Sequence, residues 1–135
     1  MEELTPIVVG MDGSASSVDA LRWAWGVAAN RRRPIIALTV GRSDGEARRL
    51  SSHALLQAFH GAPPENLTAV TRVGDAARIL SESSAHAFLL VVGSRGPDGV
   101  ASEIHSGCPM VTMHHTHAPE QVPQKAPAPA PAAGR

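Results

Sequence analysis

Two glycine-rich stretches carry the residue types that could hold a charged small molecule: Gly10-Met11-Asp12-Gly13-Ser14 and Gly93-Ser94-Arg95-Gly96-Pro97-Asp98-Gly99. Each follows a short apolar run. Glycine lets backbone N–H groups approach a phosphate closely, and the start of a following helix attracts an anion. Arg95 can add a charge-assisted contact, whereas Pro97 removes one amide from the set. Asp12 suits a different partner. Its carboxylate would accept hydrogen bonds from ribose hydroxyls or an adenine amino group and would repel an adjacent phosphate.

Other chemistries lack their parts. Ser14, Ser94 and Cys108 are possible nucleophiles, but there is no G-x-S-x-G elbow and no histidine at an informative spacing. A G-x-x-x-x-G-K-[S/T] loop is also missing, and no lysine precedes Lys125, which removes P-loop NTPase chemistry. No efficient enzyme is expected, and slow ATP hydrolysis is the upper limit. Histidine occurs seven times, three of them in His114-His115-Thr116-His117. On a strand His115 and His117 would share a side, with Cys108 or His105 as a third ligand. No acidic partner or second cysteine completes a tetrahedral set, so no metal site is expected.

The elements that must position the two glycine-rich loops alternate between strand and helix patterns, the signature of an α/β domain with an open parallel sheet. Ile7–Val9, Ile35–Val40 and Phe88–Val92 read as strands covered on both sides. Leu67–Val73 alternates less cleanly and belongs nearer an edge, and Met110–Met113 supplies a fifth strand. Val18, Leu21, Trp25 and Ala28 recur at helical spacing, with Ser16 and Asp19 as a capping box. Arg31-Arg32-Arg33 then falls where positive charge complements the helix dipole, and Pro34 stops the helix. A second helix is predicted from Asp44 to His60 with Ala47, Leu50, Ala54 and Ala58 inward. A third opens at the N-cap Asp75 and buries Ala76, Ile79, Leu80 and Ser83. Trp23 and Trp25 cannot share a helix face, so at least one should be buried. In such a sheet, ligands bind beyond the carboxyl ends of strands where the strand order reverses, so only loops after strands matter.

Composition bounds the partners. The 135 residues are 43% hydrophobic and balance twelve basic against twelve acidic side chains, which fits one domain and offers no steering toward nucleic acid or an anionic membrane. Aromatic residues are only 3%, too few for a base-stacking surface. No apolar run approaches the ~20 residues of a membrane span. The acidic start Met1-Glu2-Glu3 does not resemble a secretory signal, and the single Cys108 fits a reducing compartment, so a cytoplasmic location is expected. From Ala118 onward five prolines and six alanines accumulate. The expectation is therefore a folded domain over residues 1–117 and a disordered tail over 118–135.

Four segments in order carry a resemblance: Ile7-Val8-Val9-Gly10-Met11-Asp12-Gly13-Ser14, Ala20-Leu21-Arg22-Trp23-Ala24, Gly74-Asp75 followed by Ala76-Ala77-Arg78-Ile79-Leu80, and Leu90-Val91-Val92-Gly93-Ser94-Arg95-Gly96. From about Pro6 to Met113 the chain resembles the universal stress protein family, with Cys108-Pro109-Met110-Val111 similar to its final strand. The resemblance implies a flavodoxin-like (Rossmann-like) α/β sheet of five strands in the order 3-2-1-4-5. It also implies an adenine nucleotide, ATP or AMP, with Asp12 on the nucleoside, Val40 on the base, and Gly93, Arg95 and Gly96 along the phosphates.

The family's G-x2-G-x9-G-[S/T] pattern is broken here, because the nine residues that follow Gly96, Pro97 to His105, lead to Ser106 and then Gly107, in swapped order. Cys108 arrives about ten residues early, nearly three helical turns, so a shortened fourth helix is expected. Losing two donors to the outer phosphates, each worth roughly 1.5–3 kcal/mol, would weaken triphosphate binding at least about a hundredfold. Two functions follow: a stress-response domain that binds adenine nucleotide weakly, or a dimerising interaction module of the same fold that has lost its ligand. Dimerisation would use the last strand, as the family commonly does.

Overall fold

The apolar runs form five parallel strands: β1 (Ile7–Met11), β2 (Ile35–Gly41), β3 (Leu67–Val73), β4 (Leu89–Ser94) and β5 (Met110–His114). The helices α1 (Ala15–Arg31), α2 (Asp44–Phe59) and α3 (Ala76–Ser84) alternate with them. The computed structural model describes residues 4–94 and 103–114. The strand order is β3-β2-β1-β4-β5, and β1 pairs in register with β2 (Val9 opposite Ala37) and with β4 (Val9 opposite Val91). After β1 the chain winds outward through β2 to β3, then returns through α3 to the other side of β1, so the order reverses between β1 and β4.

That winding puts α1 and α2 on one face of the sheet and α3 on the other. On the α1/α2 face, Ile7, Val9, Met11, Ile35, Ala37 and Val91 pack beneath Val18, Leu21 and the alanines Ala20, Ala24, Ala28, Ala47 and Ala54. Alanine contributes no long side chain, so both helices lie close to the sheet. On the opposite face, Val8, Leu38, Leu90 and Val92 pack against Ala77, Ile79 and Leu80 of α3, with Ile104 from the connection between β4 and β5. From Glu103 to Pro109 that connection contains no α-helix. It is tied down instead by α3, whose Ser81 Oγ accepts from His105 N (2.9 Å) and whose Ser84 Oγ accepts from Gly107 N (2.8 Å).

Several local expectations shift by a residue or a face. The N-cap of α1 is Ser14, whose Oγ accepts from Ser17 N at 3.2 Å, and not Ser16. Ser16 is buried inside the first turn. Neither tryptophan is buried: Trp23 and Trp25 are each 40% exposed. The sheet-facing line of α1 runs through Ala24, too close to the strands for an indole, so Trp25 turns toward α2 and meets Phe59 edge-on at 5.9 Å. The capping residue of α2 is Ser43, bonded to Glu46 N (3.1 Å), and Ser51 is buried where Leu50 is only half-buried. Asp75 caps α3 as its type suggests, accepting from Arg78 N at 2.9 Å. Within α3 the buried positions are Ala77 and Ser84 rather than Ala76 and Ser83. Of the three arginines, Arg31 ends α1 and Arg32 takes a left-handed conformation (φ 55°). Arg33 lies over the Phe88 ring at 3.7 Å and donates to the Thr5 carbonyl at 3.0 Å.

Candidate functional site at the reversal of strand order

Asp12 follows directly on β1. Its Oδ1 accepts from Ser14 N at 2.9 Å, while the Ser17 hydroxyl donates to the Ser14 carbonyl at 2.8 Å. The carboxylate therefore first shapes the turn that launches α1. It is half-buried at the carboxyl ends of the strands, in position to present oxygen to a ligand at the rim.

Gly93, near the end of β4, has a packing role of its own. A β-carbon there would lie 2.5 Å from Ser17 N and 2.6 Å from the Ser16 carbonyl carbon, so the first turn of α1 presses directly on β4. Only glycine permits that approach. Its absent side chain brings the α1 turn and the β4 end together, a consequence of packing that concerns no ligand by itself.

On the α3 face of this rim, Gly10, Met11, Asp12, Val40, Ala76, Leu80, Val92 and Gly93 surround one recess. Asp12, Val40 and Gly93, which come from three separate strands or their ends, thus share one small space. Arg95 and Gly96 lie outside the described residues, as do His115, His117 and the segment 118–135. Among the described residues no group of three His, Cys, Asp or Glu side chains could hold a metal ion, and no helix is long and apolar enough to cross a membrane.

Sequence reasoning did not place Leu80 here. It read Leu80 only as a core residue of α3, and so it is, at 3% exposure. A β-carbon on Gly10 would meet its Cδ1 at 2.8 Å. A glycine at the end of one strand complemented by a leucine one helix away is a relation that no local pattern reveals.

No family model and no curated protein sequence matches the chain. Solved structures do. A universal stress protein in complex with cAMP superposes with a TM-score of 0.70 at 24% identity, over 84% of this chain and 98% of that one. This is the universal stress protein fold. A universal stress protein family member from Arabidopsis thaliana with AMP bound matches at TM-score 0.63 and 20% identity, over 84% of this chain and 93% of that one. The Archaeoglobus fulgidus universal stress protein in complex with dAMP matches at 0.64 and 19%, over 83% and 99%. The five-stranded order is the one that the resemblance implied, and α1, α2 and α3 stand where the helical patterns predicted helices.

The residues present can be tested against an adenine nucleotide. Their chemistry fits: aliphatic walls from Val40, Leu80 and Val92 suit the faces of a flat base, and Asp12 suits hydroxyl or amino donors. Their spacing is tight, since the recess holds only about 30 Å³, close to the room for one water.

Proposed function

We propose that the chain is a stress-response domain of the universal stress protein type that binds an adenine nucleotide at the reversal of strand order. In this reading Asp12 accepts from the ribose or the base, Val40 contacts the base, and Gly93 with Arg95 and Gly96 forms the phosphate path. The observation that carries it is the convergence of Asp12, Val40 and Gly93 on one recess. The bound cAMP, AMP and dAMP of structures with the same fold support the ligand class. AMP is favoured over ATP, because among the described residues of the connection after β4, 103–109, there is no α-helix whose N-terminus could hold the outer phosphates. The protein's part is binding and orientation: aliphatic walls exclude water from the base, and Asp12 fixes its register. The chain acts in the cytoplasm, and residues 118–135 form a tail outside the binding domain.

Thermal-shift titration with AMP and ATP tests this directly. A ligand at a hundred times its Kd adds about 2.7 kcal/mol, which raises Tm by roughly 10 °C for a domain of this size. The expected result is a shift with AMP that exceeds the shift with ATP and disappears in Asp12→Asn. No shift with either at millimolar concentration ends the proposal.

A second reading rests on β5. Among the described strands it pairs only with β4, so it stands at the edge of the sheet with Thr112 exposed and Val111 half-buried. A homodimer formed through this strand, with or without nucleotide, would appear as a doubled mass in sedimentation and would revert to monomer in Val111→Pro.

A further inference from the structure

The recess at the rim is smaller than its proposed ligand, and we infer that Leu80 is the residue that sets whether a base can enter it. This rests on the nucleotide reading above and concerns the control of that same site. The end of the Leu80 side chain occupies the space where Gly10 has none, with Cδ1 and Cδ2 at 2.8 and 3.1 Å from an ideal Gly10 β-carbon, and Val92 Cγ1 closes in at 3.0 Å. What remains is about 30 Å³, whereas pockets for small molecules start at about 300 Å³. The strand side of the recess is fixed by the paired β1, β2 and β4. The α3 side of the wall can move.

The surroundings of α3 give it that freedom. The helix is only nine residues long. Open recesses flank it: one of about 330 Å³ beside Asp75, Arg78, Ser81 and Glu103, and one of about 240 Å³ beside Ile36, Val70, Ser83 and His86. A small displacement of α3 toward these recesses, carrying with it the residues 105–107 that Ser81 and Ser84 hold, moves the isobutyl group off Gly10. The base then takes the place of the leucine between Val40 and Val92. Leu80 is thus a gate: part of the apolar core when the site is closed, and displaced when a purine is bound.

Gating lowers the apparent affinity by the fraction of molecules in the open form, so an open population of about one in ten weakens binding about tenfold. Isothermal titration of AMP into the wild type, Leu80→Val and Leu80→Ala measures this. The expected result is tighter AMP binding in the order wild type, Val, Ala, with a gain of about tenfold for Ala at that open population, and loss of binding when Asp12→Asn is added to Leu80→Ala. Leu80→Val retains most of the side chain and keeps the test valid where Leu80→Ala does not fold, as checked by circular dichroism. If the wild type binds AMP and the folded variants bind it equally or more weakly, Leu80 is not a gate while the nucleotide reading stands. A gain that survives Asp12→Asn places AMP in a new cavity elsewhere and also overturns the gate. If none of the proteins binds AMP, both inferences fall.

Discussion

The two faces of the sheet are made from the same strands and are covered very differently. On β2, the positions facing α1 and α2 are Ile35, Ala37 and Thr39, and all three are buried, whereas on the α3 side only Leu38 is buried and Ile36 and Val40 are half-exposed. Among the described residues, helices of seventeen and sixteen residues lie over the first face and one of nine residues lies over the second. The first face is a closely packed, alanine-spaced core whose contribution is stability. The second leaves recesses open around a short helix, and it is there that Asp12, Val40 and Gly93 meet. Thinly covered regions belong to the less stable part of a fold, and among the described residues the α3 face has the less cover.

The sharpest test of this comparison is a pair of truncations measured by urea denaturation. Leu21 is fully buried on the first face, so Leu21→Ala is expected to cost about 4 kcal/mol. Ile104 lies on the β4–β5 connection at the edge of the second face's cluster, 8% exposed, so Ile104→Ala is expected to cost about 2 kcal/mol, the lower end of the range for such truncations. Equal costs would mean that the two faces are equally rigid.

Where the faces meet, Gly93→Ala forces a β-carbon into the backbone of Ser16 and Ser17, which a side-chain rotation cannot relieve. A loss of about 3 kcal/mol is expected, read as a lowered denaturation midpoint. A variant as stable as wild type would show that the α1 turn can withdraw from β4.

Within the closely packed face, Thr39 Oγ1 is buried without a hydrogen-bond partner among the described residues. Thr39→Val keeps the shape and removes the unpaired hydroxyl, and a gain of about 1 kcal/mol is expected. A loss instead would reveal a partner for the hydroxyl, such as a bound water.

The smallest effect belongs to the start of α2. Hydrogen bonds from the Arg42 guanidinium and the Arg42 backbone N–H hold the Glu46 carboxyl below its ordinary pKa. A carboxyl depressed in the folded state contributes stability that is present above its unfolded pKa and lost as pH falls through the folded value. The stability difference between wild type and Glu46→Gln should therefore narrow as pH falls through that lowered value. A difference constant across that window would mean that the pair does not persist in solution.

Much of this was legible along the chain because strand and helix periodicity are local. Runs such as Ile35–Val40 declare strands, Asp75 declares a cap, and glycine with Asp12 after β1 marks a loop able to present oxygen to a nucleoside. The start of α2 at Asp44 is as the pattern predicts, and Ser43 before it caps the helix. The misplacement of Trp25 has a different origin: helical spacing says which residues share a side, while the distance between α1 and the sheet decides whether an indole fits there. Ala24 won that line because the helix lies close.

The residue types by themselves determined the alternation of elements, the reversal of order implied by the resemblance, and the identity of the groups at the strand ends. Only the tertiary structure decided that Gly10 is filled by Leu80, that Gly93 is pressed by α1, and that one face is thinly covered. Hydrophobic periodicity is a property of a few neighbouring residues. The volume left between β1, β4 and α3 depends on side chains seventy positions apart in the chain, which meet only after the sheet has closed around them.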